Sequence, residues 1–142
     1  MDQKIQLFIK EQKNLTLCTS IDDTPYCANC FYAFLHDNYF LVFKSNRNTM
    51  HITNALVNNK VAGTILPDIS KIGIIKGIQF TGRLIVLADS EFLEKAKRNY
   101  YSQHPFALPM PGELWGVELH SIKMTDNKLG FGKKLLWERS IK

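Results

Sequence analysis

The chain has no long hydrophobic run. None of its windows approaches the roughly eighteen successive apolar residues of a membrane span, and its greasiest region, 72–87, is broken by Lys76, Gln79 and Arg83. The first fourteen residues carry Asp2, Lys4, Lys10, Glu11 and Lys13. A secretory signal needs an unbroken apolar stretch there, so none is read. Cysteine is scarce and odd in number, with three residues. That suits a reducing compartment better than a disulfide framework. Repeats, linkers and low-complexity tracts are missing, which sets aside scaffold and collagen-like chains. Together these absences predict a soluble, cytoplasmic protein with no membrane partner.

What is present is ordinary for a globular domain. The 142 residues are 45% hydrophobic and 22% charged. That length predicts a single domain, 1–142, burying roughly two-thirds of its unfolded surface. Eighteen Lys and Arg against thirteen Asp and Glu give a net charge of +5. A mildly basic chain favours anionic ligands. No recognised nucleic-acid-binding module is visible, so nucleic acid is not an expected partner.

Periodicity predicts the elements. Ile5, Phe8 and Ile9 share one helical face, with Asp2 as cap. Leu15, Leu17, Thr19 and Ile21 alternate with polar residues, as a strand does. Asp22 to Pro25 turns the chain into the aromatic strand 26–35, and His36-Asp37-Asn38 turns it again into 39–44. A short helix is expected over about 48–58, then a strand over 61–66. The span 72–87 reads as one long strand, or two joined by a bend, with Gly73, Gly77 and Gly82 at bulges or corners. Asp89-Ser90 caps a helix with a buried stripe of Phe92, Leu93, Ala96 and Tyr100. Strands over 114–124 and 129–137 follow. The pattern predicts an α+β, mainly β, protein built on an antiparallel barrel with two to three short helices.

Few motifs survive scrutiny. Cys27-Ala28-Asn29-Cys30 is a CxxC, but its flanks are strand-like. Residues three apart on a strand point to opposite faces, so these two sulfurs are not a redox pair. No second such motif exists to complete a zinc site. GIQFTGRL, 77–84, misses the lysine and the hydroxyl of a phosphate-binding loop. Two segments carry more. SNRNTMH, 45–51, leads into a helix, where free amides attract an anion, and Ser45, Thr49, Arg47 and His51 add donors suited to a phosphate monoester. Simple helix capping by Ser45, Asn48 or Thr49 is the competing explanation. Residues 121–142 hold six basic and two acidic side chains, with Trp115, Phe131 and Trp137 interleaved through the C-terminal part. This reads as a positive aromatic wall for a flat anion, or as the solvated face of edge strands.

The strings PYCANCFYAF (25–34), LVFKSNRNTMHI (41–52), VAGTI (61–65), IKGIQFTGRL (75–84) and MTDNKLGFGKK (124–134) resemble, in this order, the pyridoxamine 5′-phosphate oxidase-like FMN-binding split barrels. The similarity is strongest to a small bacterial branch of that superfamily. It implies a six-stranded antiparallel split β-barrel, a homodimer, and FMN in a groove shared by both subunits. Position by position it implies that Ala28 and Asn29 lie along the isoalloxazine ring and that Phe43 and Ser45 end a strand against the flavin. Ser45, Thr49 and His51 would bind the phosphate. Trp115, Lys133 and Lys134 would come from the other subunit. Met50 stands where such proteins often place an arginine, and Asn29 where the oxidases place another. A weaker phosphate grip follows, by about 1.5–3 kcal/mol per lost charged hydrogen bond. The oxidases' substrate arginines have no counterpart, so vitamin B6 oxidation is not expected.

The functional expectation is an FMN-dependent oxidoreductase, or a flavin-binding relative, acting on a small molecule. The flavin would supply the electron chemistry, which explains why no acid–base dyad stands out. One alternative is a protein for haem or another flat anion, with His36, His51, His104 or His120 as iron ligand. The other is a silent dimer whose groove has lost its ligand.

Overall fold

Alternation of apolar and polar residues builds most of the molecule. The computed structural model describes residues 1–130 and 133–141. The aromatic Phe131, which the wall reading invoked, lies outside the described residues, as does Lys142. After helix α1 (Gln3–Glu11), strand β1 (Asn14–Ile21) buries Leu15, Leu17 and Thr19 on one face. A two-residue turn follows, with Asp22 and Asp23 both at positive φ. Asp tolerates that region because its short side chain bonds locally, and such turns match the twist of a hairpin. Strand β2 (Thr24–Leu35) returns antiparallel, and its residues 24–31 pair with the whole of β1.

Strands β3 (Phe40–Ser45), β4 (Lys60–Ile65), β5 (Lys76–Val86), β6 (Glu113–Asp126) and β7 (Lys134–Glu138) complete one antiparallel sheet. Its order is β3-β2-β1-β4-β5-β6-β7, and an added β3–β6 pairing closes six strands on themselves. The sheet thus has seven strands where six were expected. The seventh shares an edge of β6 with β3: Ser45 pairs with Glu113 at one end, and Lys134 with Thr125 at the other. Arg139 fills the junction, donating to the carbonyls of Leu119, Asn38 and Tyr39 at 2.7–3.0 Å.

Residues 72–75 are not strand, which shortens the expected 72–87 element. Gly73 sits at φ +82 in a turn there. The β5–β6 register shifts between Thr81 and Gly82. A side chain at Gly82 would overlap the Glu118 carbonyl, so glycine marks this bulge through close backbone approach.

Helices α2 (Met50–Val57) and α3 (Ser90–Gln103) use opposite sides of the sheet. Ile5, Phe8 and Ile9 of α1 and Ile52 and Ala55 of α2 enter the core inside the strands. Ala96 and Tyr100 of α3 cover Ala33, Leu35 and Val42 on the outer side. Residues 32–35 of β2 are therefore buried on both faces. Tyr32 and Phe34 are internal, whereas Phe31, 46% exposed, is on the surface.

Tyr32 ties α1 to the sheet. Its hydroxyl donates to the Ile9 carbonyl at 2.6 Å in a buried setting, and burial pushes the phenol pKa far up. Tyr32→Phe strands that helix-end acceptor, which costs about 1–3 kcal/mol. The expected result is a lower urea midpoint with an unchanged slope. An unchanged midpoint would show that the bond carries no net stability.

Candidate functional site

The strand-to-helix segment after β3 gathers the hydroxyl and imidazole groups. Ser45 ends β3, and its carbonyl accepts from Trp115 Nε1 at 2.9 Å. Thr49 takes the N-cap position of α2, yet its hydroxyl donates backwards to the Asn46 carbonyl at 2.8 Å and makes no side-chain cap. The α2 start thus keeps its amides free of that hydroxyl, and simple capping does not explain Thr49. Ser45 Oγ lies 2.6 Å from His51 Nε2 and 3.4 Å from Thr49 Oγ1; Thr49 Oγ1 lies 3.5 Å from His51 Nε2. Three polar tips thus meet within one small volume at a helix start. His51 is only 9% exposed, and burial lowers its pKa below the usual histidine value. Burial therefore favours the neutral imidazole in this cluster.

Arg47 is spoken for. Its Nε and Nη2 donate to both Glu113 carboxylate oxygens at 3.1 and 3.0 Å, and the guanidinium sits 5.0 Å from the Trp115 ring centre. The hydrogen bond and charge of each partner hold Glu113 below, and Arg47 above, its ordinary pKa. Both ends are exposed, so this pair orients the loop more than it stabilises the fold. The sequence reading missed Glu113. Only the β3–β6 register, Ser45 opposite Glu113, brings it beside Arg47.

The other expected contacts fall in several places. Ala28 and Asn29 lie on β2 beyond its pairing with β3, which ends at Tyr32 and Phe43. The Asn29 amide oxygen accepts from Thr16 Oγ1 at 2.9 Å, so its side chain faces the outer surface of β1. Phe43 is fully buried and laddered on both sides, to Tyr32 and to Trp115, so within one chain it presents no surface to a ligand. Trp115 is 1% exposed within its own chain and supports Ser45 there, whereas the sequence reading had it reaching across from a second subunit. Lys133 and Lys134 are exposed, and Lys134 Nζ donates to Thr125 Oγ1 at 3.2 Å. Thr125 is twelve residues along β6 from Glu113, so Lys134 and Ser45 are roughly 40 Å apart along one strand. A single chain does not bring them together.

The cysteine and histidine readings also resolve. Cys27 is exposed while Cys30 is buried, where burial pushes its thiol pKa to about 12. They form no pair, as the strand argument required. His104 is 1% exposed and bonds the Tyr32 carbonyl at 2.7 Å, which removes it as an accessible iron ligand. His36 pairs with Asp37, and His120 with Glu118. Among the described residues no group of His, Cys, Asp and Glu could hold a metal ion, and no helix is long and apolar enough to cross a membrane. A groove of about 690 Å³ on the outer face of the sheet is lined in part by Cys18, Lys60, Arg83 and His120.

The architecture defines the class: an antiparallel sheet closed by its β3–β6 pairing, with three helices, on which flavin- and haem-binding proteins are also built. A haem-binding protein of Mycobacterium smegmatis superposes with a TM-score of 0.78 at 12% identity, over 97% of this chain and 59% of that one. An FAD-binding protein of Mesorhizobium loti gives 0.70 at 16% identity, over 89% of this chain and 95% of that one. HutZ, a haem storage protein of Vibrio cholerae, gives 0.62 at 18%, over 84% and 89%. No family model matches the chain. A UPF0306 protein of Photorhabdus laumondii is 42% identical over 137 residues, 96% of this chain and 95% of its own length. One from Yersinia pestis is 40% identical over 136 residues, 95% of this chain and 91% of its own. The chain belongs to the UPF0306 family.

Proposed function

We propose that the protein is a homodimeric split barrel that binds FMN, with the phosphate on Ser45, Thr49, His51 and the first turn of α2, and that it acts as an oxidoreductase on a small molecule. The observation that carries this reading is the Ser45–Thr49–His51 cluster at a helix start that Thr49 does not cap. Two hydroxyls, an imidazole and helix amides suit a phosphate monoester. The free strand edge at Ala28 and Asn29 would lie along the ring system. FMN would supply the electron transfer, and these residues would bind and orient it. Lys133 and Lys134 are too far from Ser45 within one chain, so their part in the site needs a second copy. The FAD-binding structural neighbour supports a flavin as the ligand class.

The test is titration of the purified full chain with FMN, followed by flavin fluorescence and visible absorption. Saturable binding is expected, with a melting temperature rising several degrees at high FMN. Ser45→Ala removes one hydrogen bond to a charged phosphate and should weaken binding roughly 10- to 100-fold. No titratable binding would defeat the reading, and a monomer by light scattering at micromolar concentration would defeat the shared groove.

A second reading has its own observation. The outer groove sets Lys60 near Arg83 and His120, the latter two sharing the Glu118 carboxylate at 3.0 Å each. That combination suits haem, which the Mycobacterium smegmatis and Vibrio cholerae neighbours bind or store. A Soret band on haem addition that is lost in His120→Ala, with no FMN binding, would favour it.

A further inference from the structure

The outer face of the β1–β2 hairpin holds a pair of thiols that no motif announces. Cys18 and Cys27 are direct partners in the ladder, and their sulfurs lie 3.1 Å apart, one thiol donating to the other. The turn explains why they meet. Ile21 and Thr24 flank the two-residue turn at Asp22-Asp23, and the pair flanking such a turn is hydrogen-bonded. Bonded and non-bonded pairs alternate along an antiparallel ladder. Three steps on, Cys18–Cys27 is therefore a non-bonded pair, where the two backbones approach to about 4.5 Å. Pro25, which has no N–H, sits at the non-bonded position between, as that phase requires.

That separation falls within the range a disulfide spans without moving the backbone. Access is unequal. Cys27 is exposed and Cys18 half-buried at the rim of the outer groove. Cys30 is 7% exposed and three residues along β2 from Cys27, on the other face. Burial, the hydrogen bond that the Cys18 thiol shares with Cys27 and the proximity of that second thiol push the Cys18 pKa up to about 11.

We infer that Cys18 and Cys27 form a reversible dithiol site, oxidised to a cross-strand disulfide by a small disulfide of the oxidised-glutathione class. Cys27, the exposed thiol, gives up its proton to solvent and attacks one sulfur of the oxidant. A mixed disulfide forms and one small thiolate leaves, taking a proton. Cys18 then gives up its proton and attacks Cys27 Sγ, and the second small thiol departs. Two protein thiols lose two electrons in total, and one small disulfide becomes two thiols. Such a pair in a reducing compartment is redox-responsive, not structural. The site is independent of any flavin and needs no ligand.

The experiment incubates the native full chain with oxidised glutathione and counts free thiols, with peptide mapping by mass spectrometry. Expected is a fall from three free thiols to one, a Cys18–Cys27 linked peptide with no retained glutathione, and full recovery with dithiothreitol. Cys30→Ala should form the same linked peptide, its free thiols falling from two to none. Cys18→Ser should stop at a glutathione adduct on Cys27, and Cys27→Ser should not form the linked peptide. The inference is overturned if the parent chain keeps all three thiols, retains a stable adduct on Cys27, or links through Cys30 or to a second copy. Both serine substitutions lie on the solvent side of the hairpin, so folding checked by circular dichroism keeps each outcome interpretable.

Discussion

Trp115→Ala should cost about 3–5 kcal/mol of folding stability, the range for deleting a buried large aromatic. Trp115 is 1% exposed, opposes Phe43 across the β3–β6 ladder and faces Val86 across β5. The β3–β6 pairing closes the ring of strands, so a cavity there loosens the closure as well as the core. A domain has only about 5–15 kcal/mol to lose. Urea unfolding should therefore show a folded variant with a much lower midpoint. Trp115→Phe separates packing from polarity: it restores most of the apolar area but strands the Ser45 carbonyl. It should recover much of the stability and, on the proposed FMN reading, still weaken FMN binding by loosening Ser45. A Trp115→Ala variant within 1 kcal/mol of the parent would show that the indole does not hold this junction.

The strands were legible because one face of each meets the core and the other meets water. Leu15, Leu17 and Thr19 show it in β1, and Ile78, Phe80 and Leu84 in β5. The segment 72–75 misled because Ile72 and Ile75 are apolar yet exposed. Apolar residues on a turn carry no sign of their exposure, and only Gly73 hinted at the bend. Strand closure was not legible either. Pairing between β3 and β6 joins residues some seventy positions apart, and no local pattern encodes it.

The site was legible to the same degree. Ser45, Thr49 and His51 are close in sequence, and a strand-to-helix turn brings close residues together. Arg47's partner was not visible, because Glu113 arrives from β6. The burial of Trp115 within its own chain was not visible for a related reason. An aromatic residue between charged segments looks like a surface wall until the ladder turns it inward. The thiol pair did leave a signal. Cys18 and Cys27 are equidistant from the Asp22-Asp23 turn, so reading that turn as a two-residue hairpin already sets them opposite. The nearer CxxC spacing drew the eye instead.

His51 should give two pH trends of opposite sign. Its folded pKa is lowered from 6.5 because burial disfavours the imidazolium, and the unfolded chain restores the ordinary value. The unfolded state therefore binds the proton more readily. The His51 contribution to stability is fully present above about pH 6.5 and is lost as the pH falls below that toward the folded value. Ligand binding runs the other way. On the proposed FMN reading, a phosphate beside Nε2 would stabilise the imidazolium, so the complex would take up a proton and binding would tighten as the pH falls toward about 6. Below that the phosphate itself begins to protonate, since its second pKa is about 6, and the trend fades. Urea unfolding and FMN titration across this range read the two slopes separately. His51→Gln, which keeps a polar side chain but cannot titrate, should flatten both. If parent and variant share the same two slopes, His51 is not the group that senses pH and the phosphate does not sit against it. A change in the stability slope alone would place the imidazole in the fold but the phosphate elsewhere.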